Sequence, residues 1–189
     1  MIDFIFILTM ISIALPVYVY VVYPVLLYLV TRIYHRSHAQ DSGTTRKVTL
    51  IVSCFNESQV IKDKINNCLN LDYPETLLEI IFVSDGSTDG TDEIIKQYTG
   101  TQIKLIRQEG RLGKTSALNL AIPQAQGELI VFSDANAMYQ PDAIQKLARN
   151  FASPEVGYVV GAAIYTDGDT NSAAASENSY WQYELAIKK

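Results

Sequence analysis

The 189 residues carry 15 Lys and Arg against 20 Asp and Glu, a formal net charge of −5, and 48% of them are hydrophobic. That is enough chain for one domain with its own core plus a further segment, and the acidic balance excludes the basic footprint that a nucleic-acid partner requires. The two cysteines, Cys54 and Cys68, form no Cys-x-x-Cys pair, so they fit buried thiols in a reducing compartment better than a disulfide or a zinc site.

The first element is apolar. Phe4 to Val30 is a run of 27 residues without a charge. At about 1.5 Å per residue a helix of this length spans roughly 40 Å. That exceeds the ~30 Å hydrocarbon core, so the run is predicted to cross a bilayer with tilt. A cleaved signal peptide has a shorter apolar stretch and a basic start, whereas this start carries Asp3. Pro16 and Pro24 are places for a kink, which a membrane helix tolerates. Tyr18, Tyr20, Tyr23, Tyr28 and Tyr34 serve either as interface anchors or as bulky filler. No Lys or Arg precedes the run, and Arg32, Arg36, Arg46 and Lys47 follow it. The positive-inside rule then places the N-terminus outside and everything after Thr31 in the cytoplasm, as a single-pass protein of an inner or plasma membrane with membrane lipid as a partner. His35 and His38 have no ligand partners nearby and read as solvated. The sequence divides into an anchor over residues 1–34, a polar linker over 35–46 and a domain over 47–189.

Within that domain strands and helices alternate. Val48 to Cys54 is a short apolar run, mostly β-branched, and reads as a strand. Ser58 to Asn70 carries Val60, Ile61, Ile65, Cys68 and Leu69 at helical spacing. Glu79 to Ser84 is a second buried strand, Thr91 to Tyr98 a short helix and Ile103 to Arg107 a third strand. Leu112 to Ala125 is predicted helical, Glu128 to Ser133 a strand, and Pro141 to Phe151 a helix opened by its proline. Val156 to Tyr165 reads as a final strand. This alternation implies right-handed βαβ units and a mainly parallel sheet covered on both faces. In such sheets ligands bind beyond the carboxyl ends of the strands.

Polar residues gather at those ends. Ser53 to Ser58 follows the first strand and Asp85-Gly-Ser-Thr-Asp89-Gly-Thr91 the second. Arg111-Leu-Gly113-Lys114 follows the third, and Ser133-Asp134-Ala-Asn136 the fourth. Three generic motifs fail here. Asp85-x-Ser-x-Asp89-Gly90 imitates a calcium loop, but its twelfth position is Lys96 rather than Glu. Gly113-Lys114-Thr115 imitates the end of a P-loop, but the first glycine of that motif falls on Gln108. No Gly-x-Gly-x-x-Gly follows the first strand, which weakens a dinucleotide reading.

Leu50 to Glu57, Asp85 to Thr91, Gly113 to Asn119 and Phe132 to Asn136, in this order and each at a strand end, resemble the family 2 glycosyltransferases of the membrane-anchored, polysaccharide-synthase type. The resemblance runs from about Lys47 to the C-terminus, and the Tyr-Pro-rich segment Tyr20 to Tyr34 extends it to the anchor. It implies an α/β fold of the GT-A kind, the Rossmann-like nucleotide-diphospho-sugar transferase domain, behind a transmembrane helix. It also implies an enzyme of the inverting type that moves a sugar from a nucleotide donor, with UDP expected, to a saccharide or lipid acceptor in polysaccharide or glycoconjugate synthesis.

The same resemblance assigns the donor site to Ser53, Asn56, Glu57, Asp85, Gly86, Lys114, Asn119 and Asp134, with Asp134 and Asn136 as ligands of Mg2+ or Mn2+. Asp85 is then the acceptor for a uracil N–H, although Asp-Gly-Ser is also good turn chemistry. Gly86 and Gly90 would let backbone approach the ligand closely. Lys114, at a helix start, suits a diphosphate, and its alternative is a solvated surface lysine. Asn136 stands where the family's Asp-x-Asp motif has its second acid, and the alternative for Asp134 is a cap ahead of Pro141.

The acidic pair that supplies the family's general base does not occur before Lys189, nor does the acceptor-side Gln-x-x-Arg-Trp motif of processive members. Asp167, Asp169 and Glu177 are the late acids, of which the stretch Asp167 to Asn171 reads as a solvated loop, and Tyr180 to Glu184 resembles a helix leading toward the base. The 189 residues are therefore expected to hold the N-terminal part of the domain and, alone, to bind donor without useful transfer. A catalytically inactive nucleotide-sugar-binding fragment or interaction module is the alternative. A nucleotidyltransferase ranks lower, because Ser53 to Ser58 contains neither glycine nor a basic residue.

Overall fold

The computed structural model describes residues 2–33, 46–100 and 102–162, which fall into two compact units, 2–33 and 46–161 with residue 162 outside the second. The remainder of the sequence lies outside the described residues: Met1, Thr101, Tyr34 to Thr45 with both histidines, and 163–189 with Asp167, Asp169, Glu177 and Tyr180 to Glu184.

The first unit is one long apolar helix in three parts: α1 (Ile2–Val17), a π-helical turn (Tyr18–Val22) and α2 (Tyr23–Ile33). Phe4–Ile33 is long and apolar enough to cross a membrane, and none of it is buried within the protein. Thr9, Ser12 and Thr31 donate their hydroxyls to carbonyls of the preceding turn, which satisfies them inside the helix. The helix runs on through Pro16. The irregularity comes between the two prolines, where the Tyr23 N–H donates to the Tyr18 carbonyl, five residues back. A proline lacks the N–H and crowds the carbonyl four residues before it, and widening the turn relieves that crowding.

The second unit is built on four parallel strands, β1 (Val48–Cys54), β2 (Leu78–Asp85), β3 (Ile103–Gln108) and β4 (Leu129–Asp134), in the order β3-β2-β1-β4. Helices α3 (Ile61–Leu69), α4 (Thr91–Lys96), α5 (Lys114–Ala121) and α6 (Ala143–Ala148) connect or follow them. β1 and β2 are nearly wholly buried, as central parallel strands with helices on both faces must be. Leu50, Val52, Ile80 and Phe82 pack with Ile61, Ile65, Ile95 and Ile144 on one side. Ile51, Ile81 and Val83 meet Ala117 and Ala121 on the other. The two alanines, one turn apart, give α5 a close seat on the sheet.

Pro141 stands one residue before Asp142, the N-cap of α6, and does not open the helix; three further expectations change. Leu112 to Ala125 is helical only from Lys114, because Gly113 takes φ +95°, and it finishes as a 3-10 turn at Ile122–Gln124 around Pro123. On α3, Leu69 is 40% exposed while Lys64 shares the buried face with Ile61, Ile65 and Cys68. Val156 to residue 162 pairs with no strand among the described residues. A β-rich composition alone supplies no ladder partner.

Candidate functional site

The strand order dictates where a cleft opens. From β1 the chain passes through α3 to β2 and β3 on one side, then returns through α5 to β4 on the other side of β1. The chain leaves β1 by α3 on one face of the sheet and enters β4 from α5 on the other, so the strand order reverses between β1 and β4, the switch point at which parallel sheets bind ligands. Ser53 is in register with Asp134 there, and Asp85 with Gln108 two strands over. A cleft of about 390 Å³ lies at this point, lined among others by Ser53, Glu57, Asp85, Lys114, Asp134 and Asn136.

Asp85 ends β2 and is 6% exposed. One of its oxygens accepts from the Leu112 N–H at 2.9 Å and from the Gln108 side-chain amide, the other from the Gly113 N–H at 3.0 Å. Gln108 in turn accepts from the Ser116 hydroxyl at 2.7 Å. The carboxylate thus anchors the loop that leads into α5 and sets the height of Lys114. Gly86 adopts φ +70°, and a Cβ there would lie 2.7 Å from the Gly110 carbonyl oxygen. Its bare backbone serves the approach of this same loop.

Lys114 opens α5 and pairs with Asp134 Oδ1, which also accepts from the Ser53 hydroxyl at 3.2 Å. The two charged side chains are 58% and 53% exposed, so water competes for both and the pair is weak and exchangeable. Among the described residues no cluster of three or more His, Cys, Asp or Glu is placed to hold a metal. Asp134 gives one carboxylate and Asn136 one amide oxygen. These hard donors suit Mg2+ or Mn2+ but fall short of a full shell, so they fit a cation that shares its ligands with a bound diphosphate.

Asn56, Gly86 and Asn119 do not line the cleft. Asn56, at φ 53°, ties the loop after β1 to the loop after β2: its N–H donates to Ser87 Oγ at 3.1 Å and its Oδ1 accepts from the Thr88 N–H at 2.9 Å. Asn119 is exposed on α5. The Glu57 N–H donates to Thr91 and the Ser58 N–H to Asp89, both at 2.9 Å. Burial works against the Asp89 charge, but donors from Thr91 and Ser58 outweigh it and hold this carboxyl well below the usual range.

Sequence reasoning passed over Gln108 as an anchor of Asp85. It also passed over the stacking of the Arg111 guanidinium, 4.2 Å from the Phe55 ring centroid, at the cleft wall. Cys54 lines the cleft as well, yet burial, with Asp92 and Glu57 adding to it, pushes its thiol up to about 12. Such a thiol is no nucleophile.

The family model described as "Glycosyl transferase family 2" matches residues 49–189. The poly-beta-1,6-N-acetyl-D-glucosamine synthase of Staphylococcus epidermidis is 35% identical over 126 residues, 66% of this chain and 29% of that protein. The synthase of the same description from Staphylococcus aureus is 37% identical over 117 residues, 60% of this chain and 28% of that protein. The chain thus spans less than a third of the length of these curated relatives. Among solved structures, the mannosyltransferase PcManGT from Pyrobaculum calidifontis, in complex with GDP-Man and Mn2+, superposes with a TM-score of 0.69 at 32% identity, over 78% of this chain and 45% of that one. S. aureus TarS 1-349 in complex with UDP-GlcNAc gives 0.51 at 29% identity, over 54% and 30%.

Proposed function

The chain belongs to the family 2 glycosyltransferases, and from that premise we propose that its strand-end cleft binds a nucleotide-sugar donor, with UDP the nucleotide, for inverting transfer to a saccharide or lipid acceptor in polysaccharide synthesis. The observation that carries this is the meeting of Asp85, Lys114 and Asp134 around one cleft at the switch point of the sheet. Asp85 turns its residual acceptor capacity to the base, beside the Phe55 and Arg111 wall. Lys114 exchanges its exposed carboxylate partner for the diphosphate, helped by the N-terminus of the eight-residue α5. Asp134 and Asn136 hold Mg2+ or Mn2+, which when bound neutralises the leaving nucleoside diphosphate. Ser53 orients Asp134. The polysaccharide-synthase relatives and the nucleotide-sugar complexes support this reading.

Residues 1–34 are the anchor in this reading, 35–46 the linker and 47–189 part of the cytoplasmic catalytic domain. External protease on intact cells should leave everything after Thr31 uncut, and digestion of that part from outside would refute the orientation. The donor reading is tested by calorimetric titration of UDP into the full chain with Mn2+ and with excess chelator. UDP is expected to bind more tightly with Mn2+, Asp134→Ala to abolish that difference, and Asp85→Ala to weaken binding in both arms. Equal affinity in both arms for the unaltered chain would refute the cation role.

A further inference from the structure

Lys64, on α3, has no exposed surface. Burying an ammonium is unfavourable without compensation, and a methionine of similar length would fill the same space. Among the described residues no carboxylate lies within ion-pair distance of its Nζ. Its partners are the Ser133 hydroxyl at 2.8 Å, the Ala137 carbonyl, and the Tyr139 ring with its centroid 4.5 Å away. An ammonium has three protons to place, and these three partners can take them. Nearly one turn on, Asn67 clamps Tyr139 from both sides: its amide donates to the Tyr139 carbonyl at 2.8 Å and its oxygen accepts the Tyr139 N–H at 2.9 Å. The Tyr139 hydroxyl then donates to the Phe132 carbonyl at 2.8 Å.

All of these bonds fall on residues 132, 133, 137 and 139. They flank Asp134 to Asn136 on both sides and leave the cleft-lining Asp134 and Asn136 to the cleft. We propose that Lys64 is a positioning residue, which bridges Ser133 and Ala137 from the buried side and so fixes the turn that presents Asp134 and Asn136 to a divalent cation and diphosphate. The proposal rests on the donor-and-cation reading above.

Charge and position predict opposite signs. Burial pushes the Lys64 ammonium below its ordinary value, while Cys68 and Asp134 nearby favour its charge, so whatever charge it carries opposes a cation at Asp134. If charge were its whole contribution, removing Lys64 would strengthen the dependence on Mn2+. If it positions the turn, removing it weakens that dependence.

The test titrates UDP into the full chain, reconstituted in lipid nanodiscs, in excess chelator and in saturating Mn2+. Lys64→Met is expected to keep its chelator affinity and to lose about tenfold of the Mn2+ enhancement, the low end of the range for losing a group that orients metal ligands. Ser133→Ala deletes that acceptor, together with the 3.1 Å bond its hydroxyl donates to the Asp134 carbonyl, and leaves the ammonium in place, so it should lose at least about fivefold, the equivalent of one net hydrogen bond. An enhancement in Lys64→Met equal to or above the unaltered chain overturns the proposal. Equal losses in both arms also overturn it, because they mark a general folding role. Should Lys64→Met fail to fold, an unchanged enhancement in Ser133→Ala overturns the proposal by itself. An unaltered chain with no Mn2+ enhancement refutes the donor-and-cation reading, a result distinct from an enhancement that survives Lys64→Met.

Discussion

Replacing Lys114 by methionine separates what the lysine does for the fold from what it does for a ligand. Its pair with Asp134 joins side chains 58% and 53% exposed, and pairs of that kind contribute about 0–1 kcal/mol. In a chain of this size the melting temperature should therefore fall by at most about 4 °C. Toward a diphosphate the same ammonium makes a charge-assisted hydrogen bond of about 1.5–3 kcal/mol. UDP should thus bind about 10- to 150-fold more weakly. Toward a free cation the sign reverses. Asp134 loses the partner that occupies its Oδ1, and Mn2+ without nucleotide should bind up to about fivefold more tightly. Scanning fluorimetry and calorimetry on the reconstituted chain measure all three. UDP affinity within twofold of the unaltered chain would show that Lys114 does not reach the phosphates. A melting temperature lowered by more than about 10 °C would show that the pair holds the fold rather than awaiting a ligand.

Gly86→Ala forces a Cβ to 2.7 Å from the Gly110 carbonyl oxygen at φ +70°. It should lower stability by roughly 2–4 kcal/mol, and an unchanged urea midpoint would contradict that placement. At the far end of the sheet, burial works against the Glu79 charge, but Lys104, Thr49 and the Gln126 N–H hold its carboxyl below the ordinary value. That stabilisation is complete above the ordinary carboxylate range and is lost as pH falls through the lowered pKa. Glu79→Gln should accordingly cost most near neutral pH and progressively less on acidification, and a cost independent of pH would exclude the linkage. Burial pushes the thiols of Cys54 and Cys68 up to about 12 and about 11. Iodoacetamide at about pH 8 should leave both untouched in the folded chain and label both after denaturation, and native labelling of either would place it at the surface.

Much of this architecture is legible in the residues. Val48–Cys54 is a strand at its expected bounds because an apolar, β-branched run between polar neighbours has few other uses. The topology rule then places Ser53, Asp85, Lys114 and Asp134 near one another without any knowledge of side chains. What escapes is whatever depends on register or on a loop's path. Gln108 reaches Asp85 because β2 and β3 align them, and Arg111 reaches Phe55 because two glycines with positive φ turn the loop back. Lys64 escapes for a different reason. Its helical phase says buried and its chemistry says exposed, and only its neighbours Ser133, Ala137 and Tyr139 decide between them. Val156 to residue 162 has the composition of a strand, but composition cannot supply a neighbour.

The hydrogen bonds between the loops after β1 and β2 have an entropic consequence. Asn56, Glu57 and Ser58 are tied to Ser87, Thr88, Asp89 and Thr91 by four bonds of 2.9–3.1 Å. The loop after β1, whose Phe55 and Glu57 line the cleft, is thereby ordered before anything enters, so an incoming molecule need not spend its own binding free energy on immobilising it. Across the cleft, Lys114 and Asp134 stand in solvent and must exchange partners. The ordering cost of association therefore concentrates on one side. A nucleoside without phosphates should bind with a small entropic penalty, and the full diphosphate should carry nearly all of it.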